Sequence, residues 1–168
     1  MYANRPALPE DLTAWRDPGS ALQTRNLALA YLSAGIAARS PVQIVRGYRM
    51  LTEVQRSAPD DIAVLRGIGR ALLLGKEPRE ALRAFQRVLE LTPDDAAAEE
   101  DTGVAYLESG DVESAATHLE RTLRLDPLRL TAAATLREAC RRQGKNENAA
   151  ALAAPLETAL RGESGGKR

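Results

Sequence analysis

The chain has little of what usually carries chemistry. A single cysteine, Cys140, rules out an intramolecular disulfide and leaves the redox compartment unread. There is one histidine, His118, and no CxxC, HxxxH, GxxxxGK or CxxCH, so the familiar metal, nucleotide-phosphate and covalent haem signatures are missing. Aromatics are 4% of the residues, which removes the stacking platforms of single-strand binders. Lysine plus arginine (23) equals aspartate plus glutamate (23), so no net field draws the chain to nucleic acid or an anionic membrane. No apolar run approaches the roughly 18 to 20 residues that span a bilayer, and the N-terminus lacks the basic and apolar stretches of a signal peptide. Cofactor, metal, nucleic acid and membrane are therefore not expected, nor is an enzyme.

What is present is a period. Pro59, Pro93 and Pro127 stand at a constant interval of thirty-four residues, and the same shift superimposes Gly35, Gly69 and Gly103, then Gly47, Ala81 and Ala115. Apolar columns run alongside: Leu51, Phe85 and Leu119; Val54, Val88 and Thr122; Ala38, Leu72 and Tyr106. A period of twenty to fifty residues marks stacked units that cannot bury their apolar faces alone. Columns of tiny residues between columns of large ones suit antiparallel helix pairs whose backbones approach closely.

Capping chemistry places eight helices, about 19–39, 41–57, 61–74, 78–91, 95–108, 112–125, 128–143 and 146–161. Ser40-Pro41 and Asp126-Pro127 each pair a cap with a proline at the first helical position. Asp60 or Asp61, Asp94, Asp111 and Asn146 cap the others, while Gly75, Gly110 and Gly144 punctuate the turns after first helices. Residues 1–18 form an N-terminal arm broken by Pro6, Pro9 and Pro18 and carrying Leu8, Leu12 and Trp15. Trp15 either packs on the first helix pair or carries the arm into the groove of this or another copy, making a homo-oligomer. Residues 162–168 read as a disordered tail.

These columns resemble the tetratricopeptide repeat family. The second repeat (62–95) matches through Leu65, Ile68, Gly69, Leu72, Ala81, Phe85 and Pro93. The third (96–129) keeps Gly103, Tyr106, Ala115 and Pro127 but has Glu99 where a large apolar residue is usual. The first (28–61) keeps Tyr31, Gly35 and Pro59. A partial fourth (130–161) aligns Cys140, Ala149 and Leu156, with Arg137 for its glycine and Arg161 for its proline, and reads as a cap. The expected fold is an all-α, right-handed α-α superhelix of stacked antiparallel helix pairs over 19–161, with about eight helices. His118 and Cys140 fall in packing columns, as a helix-interface residue and a buried thiol.

The resemblance implies a concave groove lined by first helices, which binds a peptide or helix of a partner protein. Its inward positions include Leu29, Leu32 and Ile36, then Arg66, Arg70 and Leu73, then Glu100, Asp101, Val104 and Leu107, then Glu138 and Arg141. Arg66 and Glu100, one period apart, either neutralise each other or leave arginines for a ligand carboxylate. The lysine and asparagine constellation with which some members grip chaperone tails is missing: its columns hold Leu32, Ile36, Gly67, Ala97 and Asp101, or, one repeat later, Arg66, Arg70, Asp101, Thr131 and Thr135. Arg79, Arg83 and Arg87 on an outer helix, flanked by Glu80 and Glu90, read as a solvated face. The reading is a noncatalytic protein-interaction module. Its rival is a structural or self-association domain of a larger bacterial multidomain protein with no separate ligand. Location is cytoplasmic by default, or exported if the chain belongs to a larger secreted protein.

Overall fold

The computed structural model describes residues 18–144, which form seven α-helices and no strand. The N-terminal arm, the helix expected over 146–161 and the C-terminal tail lie outside the described residues. The chain divides into two compact units, Met1–Pro59 and Asp60–Arg168.

The first unit is one helix pair, α1 (Pro18–Ala37) and α2 (Pro41–Ser57). Pro41 sits at the start of α2 as the Ser40-Pro41 signal predicts, though the Ser40 side chain makes no capping bond. Arg39, at φ 50°, makes the left-handed turn, and the Ser40 amide donates to the Gly35 carbonyl at 2.8 Å. A Cβ on Gly47 would lie 2.9 Å from both the Ala28 carbonyl oxygen and the Leu32 amide nitrogen, so here backbone touches backbone. Ala28, Leu32, Met50, Leu51 and Val54 are buried.

The second unit contains α3 (Ile62–Leu74), α4 (Pro78–Leu91), α5 (Ala96–Ser109), α6 (Val112–Leu125) and α7 (Leu130–Arg142). Each second helix packs on the first helix of its own pair and on that of the next, and α5 also touches α3 and α7. The core is correspondingly shared between pairs. Leu65 of α3 and Val88 of α4 close on Ala98 of α5, while Leu119 of α6 closes on Ala132, Leu136 and Cys140 of α7. Cys140 is a buried thiol, as its column predicts.

The glycine column is explained by what faces it. A Cβ on Gly69 would run into the fully buried Phe85 ring, and one on Gly103 would meet Leu119 Cγ at 2.7 Å. Gly35 departs from the column, because its neighbour is the Ile44 backbone nitrogen at 2.8 Å rather than Leu51. The left-handed residues Lys76, Gly110 and Gly144 keep the thirty-four-residue interval, but Arg39 comes three residues before the place that interval assigns. Moving the turn of a hairpin by three residues moves the facing position on the return helix by about twice that, from Leu51 to Ile44.

Three local expectations are corrected. Asp95 rather than Asp94 caps α5, accepting from the amides of Ala97 (2.8 Å) and Ala98 (3.2 Å). Asp126-Pro127 does not open a helix. Asp126 ends α6, and its carboxylate accepts from the Leu128 amide and from Arg129 Nε, bracing the turn into α7. Gly75 stays right-handed, and Lys76 takes the left-handed place at φ 64°. Of Asp60 and Asp61 it is Asp61 that caps α3, through the Val64 amide, and Asp111 caps α6 as expected, through that of Ser114.

Two measurements test these contacts. Gly69→Ala gains about 1 kcal/mol of helix propensity but overpacks a ring that cannot retreat, at a cost of about 1 to 3 kcal/mol; a lower urea midpoint at unchanged slope is expected. The Ser114 hydroxyl, and then its amide, hold the Asp111 carboxyl below the ordinary aspartate value. A depressed folded-state pKa gives stability that is present above the unfolded value and lost as pH falls through the folded one. The difference in urea midpoint between wild type and Asp111→Ala should therefore hold steady above about pH 5 and shrink below about pH 4.

Candidate functional site

The first-helix face of the second unit is built from α3, α5 and α7. Arg66 and Arg70 lie one turn apart on α3 and so share a face. Both reach Asp101 on α5. Arg66 takes Oδ2 with its Nε and Nη2, both at 2.9 Å, and Arg70 takes Oδ1 with its Nε at 3.1 Å and Nη2 at 3.0 Å. The Asp101 side chain is 11% exposed, whereas that of Arg70 is 49% exposed. One carboxylate thus satisfies two guanidiniums and leaves a net positive charge beside solvent.

The Arg66–Glu100 pairing raised from the repeat interval does not form. Asp101, one residue beyond the equivalent place, takes Arg66, and Glu100 accepts instead from Arg129 Nη1 at 2.7 Å. Arg129, in the turn before α7, also bonds Asp126 at 3.2 Å. Its bond to Glu100, with help from Asp126, raises its pKa above the ordinary arginine value. On α7, Glu138 accepts from Arg141 Nη2 (2.7 Å) and Arg142 Nε (3.0 Å), and the Arg142 bond leads in holding its carboxyl below the ordinary glutamate value.

Among the apolar positions, Leu73 and Val104 are half-buried on this face, while Leu107 packs with Ala115 and Ala139 in the core. In the first unit, taken by itself, Leu32 is buried, Leu29 half-buried and Ile36 exposed on α1.

A second charged cluster is not evident as an assembly in the sequence, although Glu99, His118 and Tyr106 stand out there separately; Arg121 does not. Glu99 stands in the column of Leu65 and its side chain is 1% exposed. Its Oε2 lies 2.6 Å from His118 Nδ1 and its Oε1 accepts from Arg121 Nε at 3.0 Å. Arg121 continues to the Pro93 carbonyl at 3.0 Å, and the His118 ring stacks on Tyr106 with centroids 5.3 Å apart. The lone histidine is thus a helix-interface residue, and its Nδ1–H can serve the carboxylate whether the ring is neutral or charged. The signal was the coincidence of an acid in an apolar column with a histidine and an arginine three residues apart on the next helix.

Chemically, both clusters are satisfied charge networks. Among the described residues no group of three or more histidine, cysteine, aspartate or glutamate side chains is placed to hold a metal ion. Glu99 and its partners carry a stability prediction. His118→Ala strips a donor from a buried carboxylate and should cost about 1 to 3 kcal/mol. Glu99→Leu restores the residue type of its column and frees two side chains that already reach solvent, so it should stay within about 1 kcal/mol of wild type or exceed it; urea unfolding of both variants checks the contrast.

The tetratricopeptide repeat family matches over residues 49–96, 67–129 and 100–161. No curated protein matches the chain significantly. Among solved structures, the chain is similar to MamA (residues 41 to the end) of Desulfovibrio magneticus, at 19% identity and TM-score 0.78, covering 92% of this chain and 82% of that one. It is similar to the first repeat domain of Spaghetti (RPAP3) bound to the HSP90 peptide SRMEEVD, at 19% identity and TM-score 0.67, covering 76% and 96%. A third likeness is to the O-GlcNAc transferase of Thermobaculum terrenum, at 22% identity and TM-score 0.63, where the match covers 71% of this chain and only 22% of that enzyme. At such identities these likenesses speak for the fold alone.

Proposed function

The chain belongs to the tetratricopeptide repeat family, and from that premise we propose that it is a noncatalytic module that binds a peptide or helix of a partner protein on its first-helix face. The observation carrying this reading is the half-exposed guanidinium of Arg70, fixed by Asp101 and flanked one turn away by Leu73 and Val104. Fixed charge beside partly buried apolar side chains is the composition of a recognition surface: the apolar area supplies affinity, and the charges set orientation and reject mismatched partners. Glu138 and Arg141 extend the same face along α7. Support from outside the chain comes from the RPAP3 repeat domain, which shares the fold and was solved with a peptide bound.

A noncatalytic role fits the state of the reactive groups. His118 is engaged by Glu99 and Tyr106, and Cys140 is buried among alanine and leucine. The experiment is capture of a partner by the full chain, followed by a binding titration against Arg70→Glu/Arg141→Glu and against Arg83→Glu, an exposed residue of α4. The first variant should bind at least tenfold more weakly, a loss of about 1.4 kcal/mol or more, with helical content unchanged, and the second should match wild type. Equal affinity in all three places the partner elsewhere on the molecule.

A further inference from the structure

Asp101 is held as a bound ligand would be. Four guanidinium nitrogens converge on its two oxygens at 2.9 to 3.1 Å, and they come from two arginines of one helix, α3, while the carboxylate comes from another, α5. Each arginine closes its Nε–H and an Nη2–H on one oxygen, Arg66 on Oδ2 and Arg70 on Oδ1, so charge-assisted donors of a single helix enclose both ends of the carboxylate. Nothing in α3 itself supplies the anion, and the half-exposed Arg70 leaves that receptor open to solvent on one side.

We propose that Arg66 and Arg70 form a carboxylate site which the chain fills with its own Asp101, so that this face turns away carboxylate-bearing ligands that it would otherwise bind. The physical basis is competition. A tethered carboxylate acts at an effective concentration in or above the millimolar range, and it has no association entropy left to lose. An incoming carboxylate must displace it and then leave Asp101, only 11% exposed, without partners. Asp101 is thereby a specificity-determining residue. Segments that enter this face are selected for neutral or basic character, and peptides ending in acidic residues are discriminated against. The inference concerns the same face as the proposed function, yet its probe is a defined peptide, so failure to find a protein partner and failure of the carboxylate site are read separately.

The test uses the full chain and a labelled glycine-serine peptide ending in aspartate, as the free acid and as the amidated, carboxylate-neutralised counterpart. Wild type should bind the free acid no more tightly than its counterpart. Asp101→Asn, which keeps the shape and removes the charge, should bind the free acid at least tenfold more tightly than its counterpart, and adding Arg70→Gln to that variant should abolish the preference. Helical content and a cooperative urea transition establish that each variant is folded, and Asp101→Ser replaces Asp101→Asn if the latter does not fold. A folded Asp101→Asn or Asp101→Ser without preference overturns the proposal and makes the cluster a structural bridge only. A tenfold preference for the free acid already present in wild type overturns it as well.

Discussion

The closeness with which two helix backbones must pass inside each pair governs the second unit. Phe85 and Leu119 are fully buried at positions where the facing helix offers only Gly69 and Gly103. The missing Cβ makes room for the large side chain, and that side chain fills the space that close packing would otherwise leave void. Because the same second helix then meets the following first helix, each layer of core is completed by the next repeat. Ala98, Ala105, Ala132 and Ala139 do this completing, and all four are fully buried. Small residues on the incoming helix are thus as much a requirement as large ones on the waiting helix.

That constraint explains why the fold was so legible. The glycine, alanine and large apolar columns record distances between backbones, and distances repeat when units stack. Helix starts were legible where a single candidate caps directly, as at Asp111, and left open where two candidates adjoin, as at Asp60 and Asp61. Asp94 and Asp95 differ by one position, and only the turn geometry decides that Asp95 meets the amides of Ala97 and Ala98. Asp126-Pro127 misled because the same dipeptide can begin a helix or brace the turn that follows one. The candidate site was legible in its members but not in its pairing. Arg66, Arg70, Glu100 and Asp101 stood out as charges on inward columns, but arginine reaches across a column boundary, and one residue of offset exchanged Glu100 for Asp101. Arg129 could not be read at all from the first-helix pattern, since it belongs to a turn.

The three acids at 99–101 are spent on partners within the second unit. Glu99 fills an apolar column and is neutralised from the next helix, Glu100 is tied to Arg129, and Asp101 to Arg66 and Arg70. Three consecutive acids at the start of α5 therefore point to three different cationic groups, one toward the paired helix, one toward the next turn and one toward the preceding first helix. Glu99 falls in the first turn of α5, where negative charge suits the helix dipole, and the run at 99–101 also pins α5 from three sides. A charge run in a stacked repeat is accordingly better judged by what surrounds the helix in three directions than by its net value.

The displaced turn at Arg39 has a consequence of another kind. The interval from Arg39 to Lys76 is longer than that from Lys76 to Gly110, while the prolines keep a constant spacing. What α1 gives up at its end, α2 regains at its beginning, so the pair as a whole keeps its length. The period is therefore conserved in phase downstream even though the hairpin inside it has slipped. Slippage of this sort is a compensated frameshift in structure: it changes which side chains the first pair turns inward, while every later repeat keeps its register.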